Sequence, residues 1–462
     1  MNSRILPANT PVTRKESIIY GLFGGGSFVY GYIMFQSVIM YYFTDVLGIT
    51  AAAAGVLLLV ARAWDGINDP LMGIIIDKTN TRWGKNRPYI FAGGILTSIF
   101  LVLLFTKPSF LSDGGRLGWA YFTYIGYGMA YTMDTISIGS LGSRLTTDRL
   151  GITKLNSAFY IGSSAMSIFA TLIFMSFIGK FAGAEGDMGR GYQLTACVAG
   201  AITLVFSLVS AFSIKERNLQ GESPKKIGFL AALKAMLTNT HYIGFMISQA
   251  IVLLGYYLSV GTIMYYCIYN LGSAESYTPL LFCDYATPII AALTLPYIVK
   301  KLGQRSIVVL ATTVTCVADL LRYLTGDSSV FIMTMLAGIG GIAMGYYNVL
   351  FTPIAMDCSI YTEHKTGLQL QGSFIAANGI IGKIVGGISG ALLGFILAGI
   401  GYVEGAAEQS ATTLNGLKLC ATLSFSVAAA ASLIVFLLTY RLKEKDIEKM
   451  NIENLERRGS EN

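Results

Sequence analysis

The sequence predicts an all-α membrane protein with twelve transmembrane helices in two six-helix bundles. Hydrophobic residues make up 53% of the 462 and charged residues only 13%, a balance that excludes an ordinary soluble domain. Twelve apolar stretches are each long enough for the roughly 30 Å hydrocarbon core of a bilayer. The longest polar interruption, from about Lys215 to Thr240, contains Gly221, Ser223, Pro224 and a lysine pair and divides the twelve six and six.

In chain order the spans fall at about 17–42, 52–76, 88–106, 117–140, 154–180, 192–213, 241–270, 277–298, 306–325, 329–350, 373–400 and 413–440. The first is too long for a signal-peptide core and carries no small-residue cleavage site, so a retained N-terminal helix is expected. The expected domains are a first bundle over 1–214, a central cytoplasmic loop over 215–240, a second bundle over 241–440 and a tail over 441–462. The loop after the second span reads Arg82-Trp-Gly84-Lys85-Asn-Arg87, and the loop after the eighth reads Lys301-Leu-Gly303-Gln-Arg305. This faint echo fits two repeated bundles, an architecture that places the substrate site between the halves near the midplane.

Lys and Arg set the orientation. Taking alternate loops together, one side collects Arg4, Arg14, Lys15, Lys78, Arg82, Lys85, Arg87, Arg144, Arg149, Lys154, Lys215, Arg217, Lys225, Lys226, Lys234, Lys300, Lys301, Arg305, Lys365 and the tail from Arg441; the other holds only Lys107, Arg116, Lys180, Arg190 and Lys418. By the positive-inside rule both termini are cytoplasmic. The net charge of +7 is then mostly topological, and no nucleic-acid partner is needed to explain it.

The six cysteines show no metal-ligand spacing and read as free packing residues. His241 and His364 sit near span boundaries without a ligand partner at suitable spacing, so no metal beyond a coupling cation is expected. The glycine clusters at Gly21–Gly26 and Gly379–Gly390 read as close helix contacts. Neither follows a strand or leads into Gly-Lys-Ser/Thr, which argues against a nucleotide loop, and no cofactor is expected.

Within the second span the segment Arg62-Ala-Trp-Asp65-Gly-Ile-Asn68-Asp69-Pro70 carries three charges. Helical spacings of three, four and seven put Arg62, Asp65, Asn68 and Asp69 on one broad stripe. Each charge costs roughly 2.5–3.5 kcal/mol at the centre of a membrane helix. An Arg–Asp pair that only fixes packing is the plainer reading, yet one arginine cannot neutralise two carboxylates. The stripe therefore reads as an ion site inside a helix bundle.

At Tyr41-Tyr-Phe-Thr-Asp45-Val-Leu-Gly48, Ala61-Arg62-Ala-Trp-Asp65-Gly-Ile-Asn68-Asp69-Pro70 and Thr81-Arg82-Trp-Gly84-Lys85-Asn-Arg87-Pro88 the chain resembles the glycoside-pentoside-hexuronide cation symporters. These are a branch of the major facilitator superfamily whose best-known type is the melibiose carrier. The likeness continues at Asp357-Cys-Ser-Ile-Tyr361, Thr366-Gly367 and Gly382-Lys383 and so spans nearly the whole chain. The resemblance implies that Asp65, Asn68 and Asp69 match the family's coupling-cation site, with Thr132 on the fourth span as a further oxygen ligand. Carboxylates, an amide and a hydroxyl are hard oxygen donors suited to sodium or lithium, while a carboxylate can equally carry a proton. Asn68 favours sodium, because an amide ligates without titrating; a helix-to-helix hydrogen bond is its plainer role.

Departures from the family are specific. Galactoside-type carriers hold the sugar with an Asp on helix one and an Asp and Trp on helix four, where this chain has Val29, Thr135 and Gly139. Asp134 is one residue from that helix-four Asp, and one residue turns a side chain by about 100°. Beyond Thr147-Asp148, where relatives carry Glu-Arg-Thr and a later Arg, stand Gly151, Ile152 and Phe159; Gln369 and Gln371 replace an Arg and a Glu. The family's sugar specificity therefore does not transfer.

Lys383 matches a lysine shared by the family and is expected to neutralise Asp65 or Asp69 or to face the substrate. Further candidates for substrate binding and coupling are Arg62, Tyr30, Gln36, Tyr131, Asp134, Asn348 and Asn378, with Tyr32, Tyr127, Tyr346 and Tyr347 as aromatic cavity or interface residues. Asp319 and Arg322 have the i,i+3 spacing of a structural ion pair. In the first cytoplasmic loop Asp77, Arg82, Lys85 and Arg87 look like the superfamily's gate motif, and Asp357 is a gating candidate in the second half.

The function expected is a secondary symporter, coupled to sodium (or to a proton or lithium), that imports a sugar, glycoside, pentoside, uronide or similar small polar solute by alternating access. Two alternatives remain at this point: a lipid or amphiphile transporter of the same fold, motivated by Val29, and a non-transporting sensor. The expected partners are the solute, a monovalent cation and membrane lipid around a monomer. A bacterial inner membrane is the expected location, since no acceptable Asn-x-Ser/Thr site occurs.

Overall fold

The computed structural model describes residues 12–27, 38–146, 149–217, 229–325 and 329–461. All regular structure among them is helical, apart from an isolated bridge between Thr81 and Gly84 and a bridge residue at Arg217. The helices are α1 (Arg14–Ile19), α2 (Ala51–Lys78), α3 (Arg87–Leu104), α4 (Asp113–Leu141), α5 (Arg149–Ala182), α6 (Met188–Ser213) and α7 (Phe229–Thr238). They continue as α8 (Thr240–Tyr265), α9 (Tyr277–Leu302), α10 (Gln304–Thr325), α11 (Val330–Thr366), α12 (Gln371–Gly399), α13 (Ala411–Thr439) and α14 (Glu444–Glu461). Ten helices among the described residues are long and apolar enough to cross a membrane. At 29 residues α4 is as long as these, and of the first predicted span, 17–42, the described residues are 17–27 and 38–42.

The helices begin where side chains can satisfy their first free N–H groups. Thr50 caps α2 by accepting from Ala53 N at 3.4 Å, Ser112 caps α4 and Asp187 caps α6. Asn239 accepts from Tyr242 N at 3.0 Å at the start of α8. At the end of α11, Gly367 takes φ +71°, the left-handed turn that a helix C-terminus favours and side chains resist.

The chain forms two compact units. The first comprises Met1–Glu222 with Cys267–Phe282 and Gly390–Thr413. In it α3 packs on α4 and α6, α5 on α6, and α2 on α4. Gly394, late in α12, lies against Ala51 and Gly55 of α2, backbone on backbone. The second unit holds Ser223–Tyr266, Cys283–Ser389 and Leu414–Asn462. Its core joins Phe245, Phe351, Phe374, Phe436 and Tyr440, with α10 packed on α11 and α14 docked on α11.

Candidate functional site

The polar stripe of the second predicted span lies on α2 and meets α4. Arg62 Nη1 stands 3.3 Å from Asp65 Oδ2. The Asp65 carboxylate lies against α4 at Gly128, where a Cβ would come within 3.0 Å of Oδ1, so the glycine makes room for it. One turn on, Thr132 Oγ1 of α4 donates to Asp69 Oδ1 at 2.9 Å. Asn68 is 8% exposed, and its Nδ2 has no hydrogen-bond partner among the described residues. Pro70 lacks an N–H, so the Gly66 carbonyl loses its helical donor beside these groups. The arrangement gathers carboxylate, amide, hydroxyl and carbonyl oxygens at one α2–α4 contact.

Asp134 is not brought to this group. On α4 it lies two residues, and hence about 200°, from Thr132. It is fully buried toward α3 and α6, accepting from Ser207 Oγ at 3.1 Å. Tyr131 stacks on Tyr127 with ring centroids 5.9 Å apart. In the second unit Lys383 is half-buried on α12, and Asn348 is exposed on α11. Tyr346 and Tyr347 are engaged in hydrogen bonds, with Thr294 at 2.6 Å and Ser248 at 3.2 Å. Asp319 and Arg322 form a buried pair at 2.9 Å. Tyr30, Tyr32 and Gln36 lie outside the described residues, as do the side chains of Asp77 and Asn378.

The basic loop before α3 is held by a carboxylate that sequence reasoning passed over. Glu216, 3% exposed, accepts from three consecutive backbone groups: Lys85 N at 2.9 Å, Asn86 N at 2.8 Å and Arg87 N at 3.1 Å. A side chain at Gly84 would collide with it. Arg87 is buried and donates through Nε to the Ala211 carbonyl at 2.6 Å, whereas Arg82 is exposed. Next door, Arg217 binds Glu16 through two guanidinium nitrogens at 3.0 and 2.8 Å and donates its backbone N–H to the Arg144 carbonyl at 2.9 Å. Burial by itself would raise the Glu16 pKa, but Arg217 and the Thr13 donors outweigh it and hold the carboxyl below its usual value. The only trace of this node in the sequence is a glutamate within the basic run Lys215-Glu216-Arg217. In the second unit, Asp357 accepts from Tyr440 Oη at 3.3 Å.

A second carboxylate cluster sits at Asp45, in the first motif of the resemblance. Its Oδ1 accepts from Tyr269 Oη and Tyr402 Oη, each at 2.6 Å, and from Gly405 N at 3.3 Å; Oδ2 accepts from Thr44 Oγ1 at 2.6 Å.

This many-helix architecture is the major facilitator fold. The chain is similar to the nucleoside transporter NupG, with a TM-score of 0.67 at 12% identity, covering 93% of this chain and all of that one. It is also similar to a bacterial homologue of the lysosomal transporter Spinster, with a TM-score of 0.65 at 13% identity over 95% and 98% of the two chains. The MFS/sugar transport protein family matches residues 22–444. The isoprimeverose transporter of Lactiplantibacillus pentosus is 30% identical over 82% of this chain and 79% of its own. The glucuronide carrier protein homolog of Escherichia coli is 25% identical over 89% of each. The chain belongs to the glycoside-pentoside-hexuronide cation symporters of the major facilitator superfamily. It is a multi-pass membrane transport protein and not an enzyme.

Proposed function

We propose that this protein is a sodium-coupled symporter that imports a glycoside, pentoside, uronide or similar small polar sugar by alternating access, with both termini cytoplasmic. The observation that carries the coupling is the contact of Thr132 with Asp69 at 2.9 Å, beside Asp65 and the buried Asn68. The stripe brings two carboxylates, an amide and a hydroxyl together, hard oxygen donors of the kind that hold a monovalent cation. Asn68 and Thr132 cannot titrate in the physiological range, and their presence favours an alkali ion over a proton as the coupling species. The named substrates of the relatives support a glycoside or uronide as cargo. In this reading the Glu216 node holds the cytoplasmic loop in place and Asp45 ties the loops of the first unit. The domain division at 215–240 and the gating roles of Asp77, Arg82, Lys85, Arg87 and Asp357 belong to the same proposal.

The test is uptake of a panel of labelled pentosides, glycosides and uronides into proteoliposomes, with sodium, lithium or proton gradients imposed singly. Sodium-driven accumulation of at least one sugar is expected. Accumulation driven by a proton gradient alone would replace the sodium assignment, and uptake of amphiphiles but no sugar would replace the cargo.

A further inference from the structure

A further carboxylate in this bundle has no role in the α2 site. Asp134 of α4 is 0% exposed at the meeting of α3, α4 and α6. Gly93 of α3 lies against its backbone, where a Cβ would come within 2.9 Å of Asp134 N. Ser207 of α6 donates to Oδ2, while Oδ1 is buried without a partner. Among the described residues no arginine or lysine is bonded to it.

The surrounding hydroxyls are unusual in the same way. Within a helix, serine and threonine normally donate to the carbonyl one turn back. Ser98, Thr135, Ser140 and Thr195 of these same helices do so, at 2.7–2.9 Å. Thr97, Ser137, Thr203 and Ser210 do not; each is buried with its hydroxyl unpartnered. Their register places them around Asp134. Thr97 follows Gly93 by four residues and Thr203 precedes Ser207 by four, so both lie one turn, roughly 5.4 Å, to one side of the carboxylate. Ser137 and Ser210 each follow by three, one turn to the other side. Close contacts of Gly93 with Asp134, and of Gly94 with Ser207, hold the three helices together at this level.

We infer that the α3–α4–α6 seam is a second alkali-cation site, with Asp134 Oδ1 and the Thr97 and Thr203 hydroxyls as its side-chain ligands. A dry carboxylate needs a positive charge, and none of the side chains bonded to it supplies one. One negative charge among neutral oxygens matches a monovalent ion; a divalent ion would leave a positive charge buried. A proton would satisfy only one of the unpaired oxygens, whereas a sodium ion coordinates several at once. The site is separate from the α2 stripe, because α4 presents Thr132 to one and Asp134 to the other from different faces.

The experiment is sodium binding to the full-length protein in detergent, measured as bound radiolabelled sodium per chain by equilibrium dialysis. Asp134→Asn is expected to lower the stoichiometry by one ion, and Asp69→Asn independently by one. Thr97→Val with Thr203→Val, which keeps side-chain shape and adds no charge, is expected to weaken one class of sites by roughly tenfold or more; it carries the test if Asp134→Asn does not fold. Unchanged sodium binding in a folded Asp134→Asn or in the double valine variant would overturn the proposal and leave the seam to water or a protonated acid. Loss of an ion in Asp134→Asn but none in Asp69→Asn would uphold the seam and overturn the α2 assignment instead.

Discussion

Tyr402 Oη donates to Asp45 Oδ1 at 2.6 Å, a bond between residues 357 positions apart. Tyr269 donates to the same oxygen at 2.6 Å, and both tyrosines belong to segments that cluster with the first half of the chain. Hydrogen bonds to a charged acceptor contribute roughly 1.5–3 kcal/mol each. Tyr402→Phe is therefore expected to destabilise by about that amount, and Asp45→Ala by more, since it removes the acceptor shared by Tyr269, Tyr402 and Thr44. Unfolding in denaturant, read by tryptophan fluorescence, checks this; equal stability of wild type and both variants would show that the cluster holds nothing.

Glu216 anchors the loop before α3 through three N–H groups at 2.8–3.1 Å. Glu216→Ala leaves these groups buried and unpaired, at about 1–3 kcal/mol each where water does not enter. Faster proteolysis at Arg82 and Lys85 and a fall in transport are expected, with Glu216→Gln intermediate because its amide oxygen still accepts. Protease resistance equal to wild type in Glu216→Ala would remove Glu216 from the gate.

Glu16 makes this same region acid-sensitive. Its folded pKa lies below the ordinary 4.5, so the stabilisation from Arg217 is complete above that value and is lost as pH falls through the folded pKa. Wild-type melting temperature should fall more steeply below about pH 4.5 than that of Glu16→Gln, measured by thermal unfolding from neutral pH downward. Parallel curves would show that the pair has no linkage to stability.

The fold and the α2 stripe were readable in the sequence because both are local patterns. Apolar stretches are continuous, and Arg62, Asp65, Asn68 and Asp69 recur at helical spacing on one segment. Resemblance supplied Thr132, and the structure sets its hydroxyl beside Asp69. What was not readable depends on distant partners: Glu216 meets a loop about 130 residues earlier, and Tyr269 and Tyr402 meet Asp45 from beyond the middle of the chain. No periodicity encodes such pairs. Asp134 shows the finer limit, since its position one residue from a family carboxylate left its direction open, and packing against Gly93 and Ser207 turned it from Thr132.

Thr132→Val isolates the hydroxyl from the carboxylates. It removes the donor to Asp69 and one oxygen ligand without changing side-chain shape. The sodium concentration for half-maximal uptake should rise by about tenfold, equivalent to roughly 1.4 kcal/mol, with maximal uptake retained. An unchanged sodium dependence would leave Thr132 a packing residue.

The most direct measurement of sodium coupling at α2 is sugar accumulation in proteoliposomes under an inward sodium gradient, comparing wild type with Asp69→Asn and Asp65→Asn. Wild type is expected to concentrate the sugar against its gradient. Both variants are expected to insert and fold yet fail to accumulate it, while sugar efflux down its own gradient persists at a reduced rate. Full sodium-stimulated accumulation by both variants would contradict the assignment of the coupling cation to this stripe.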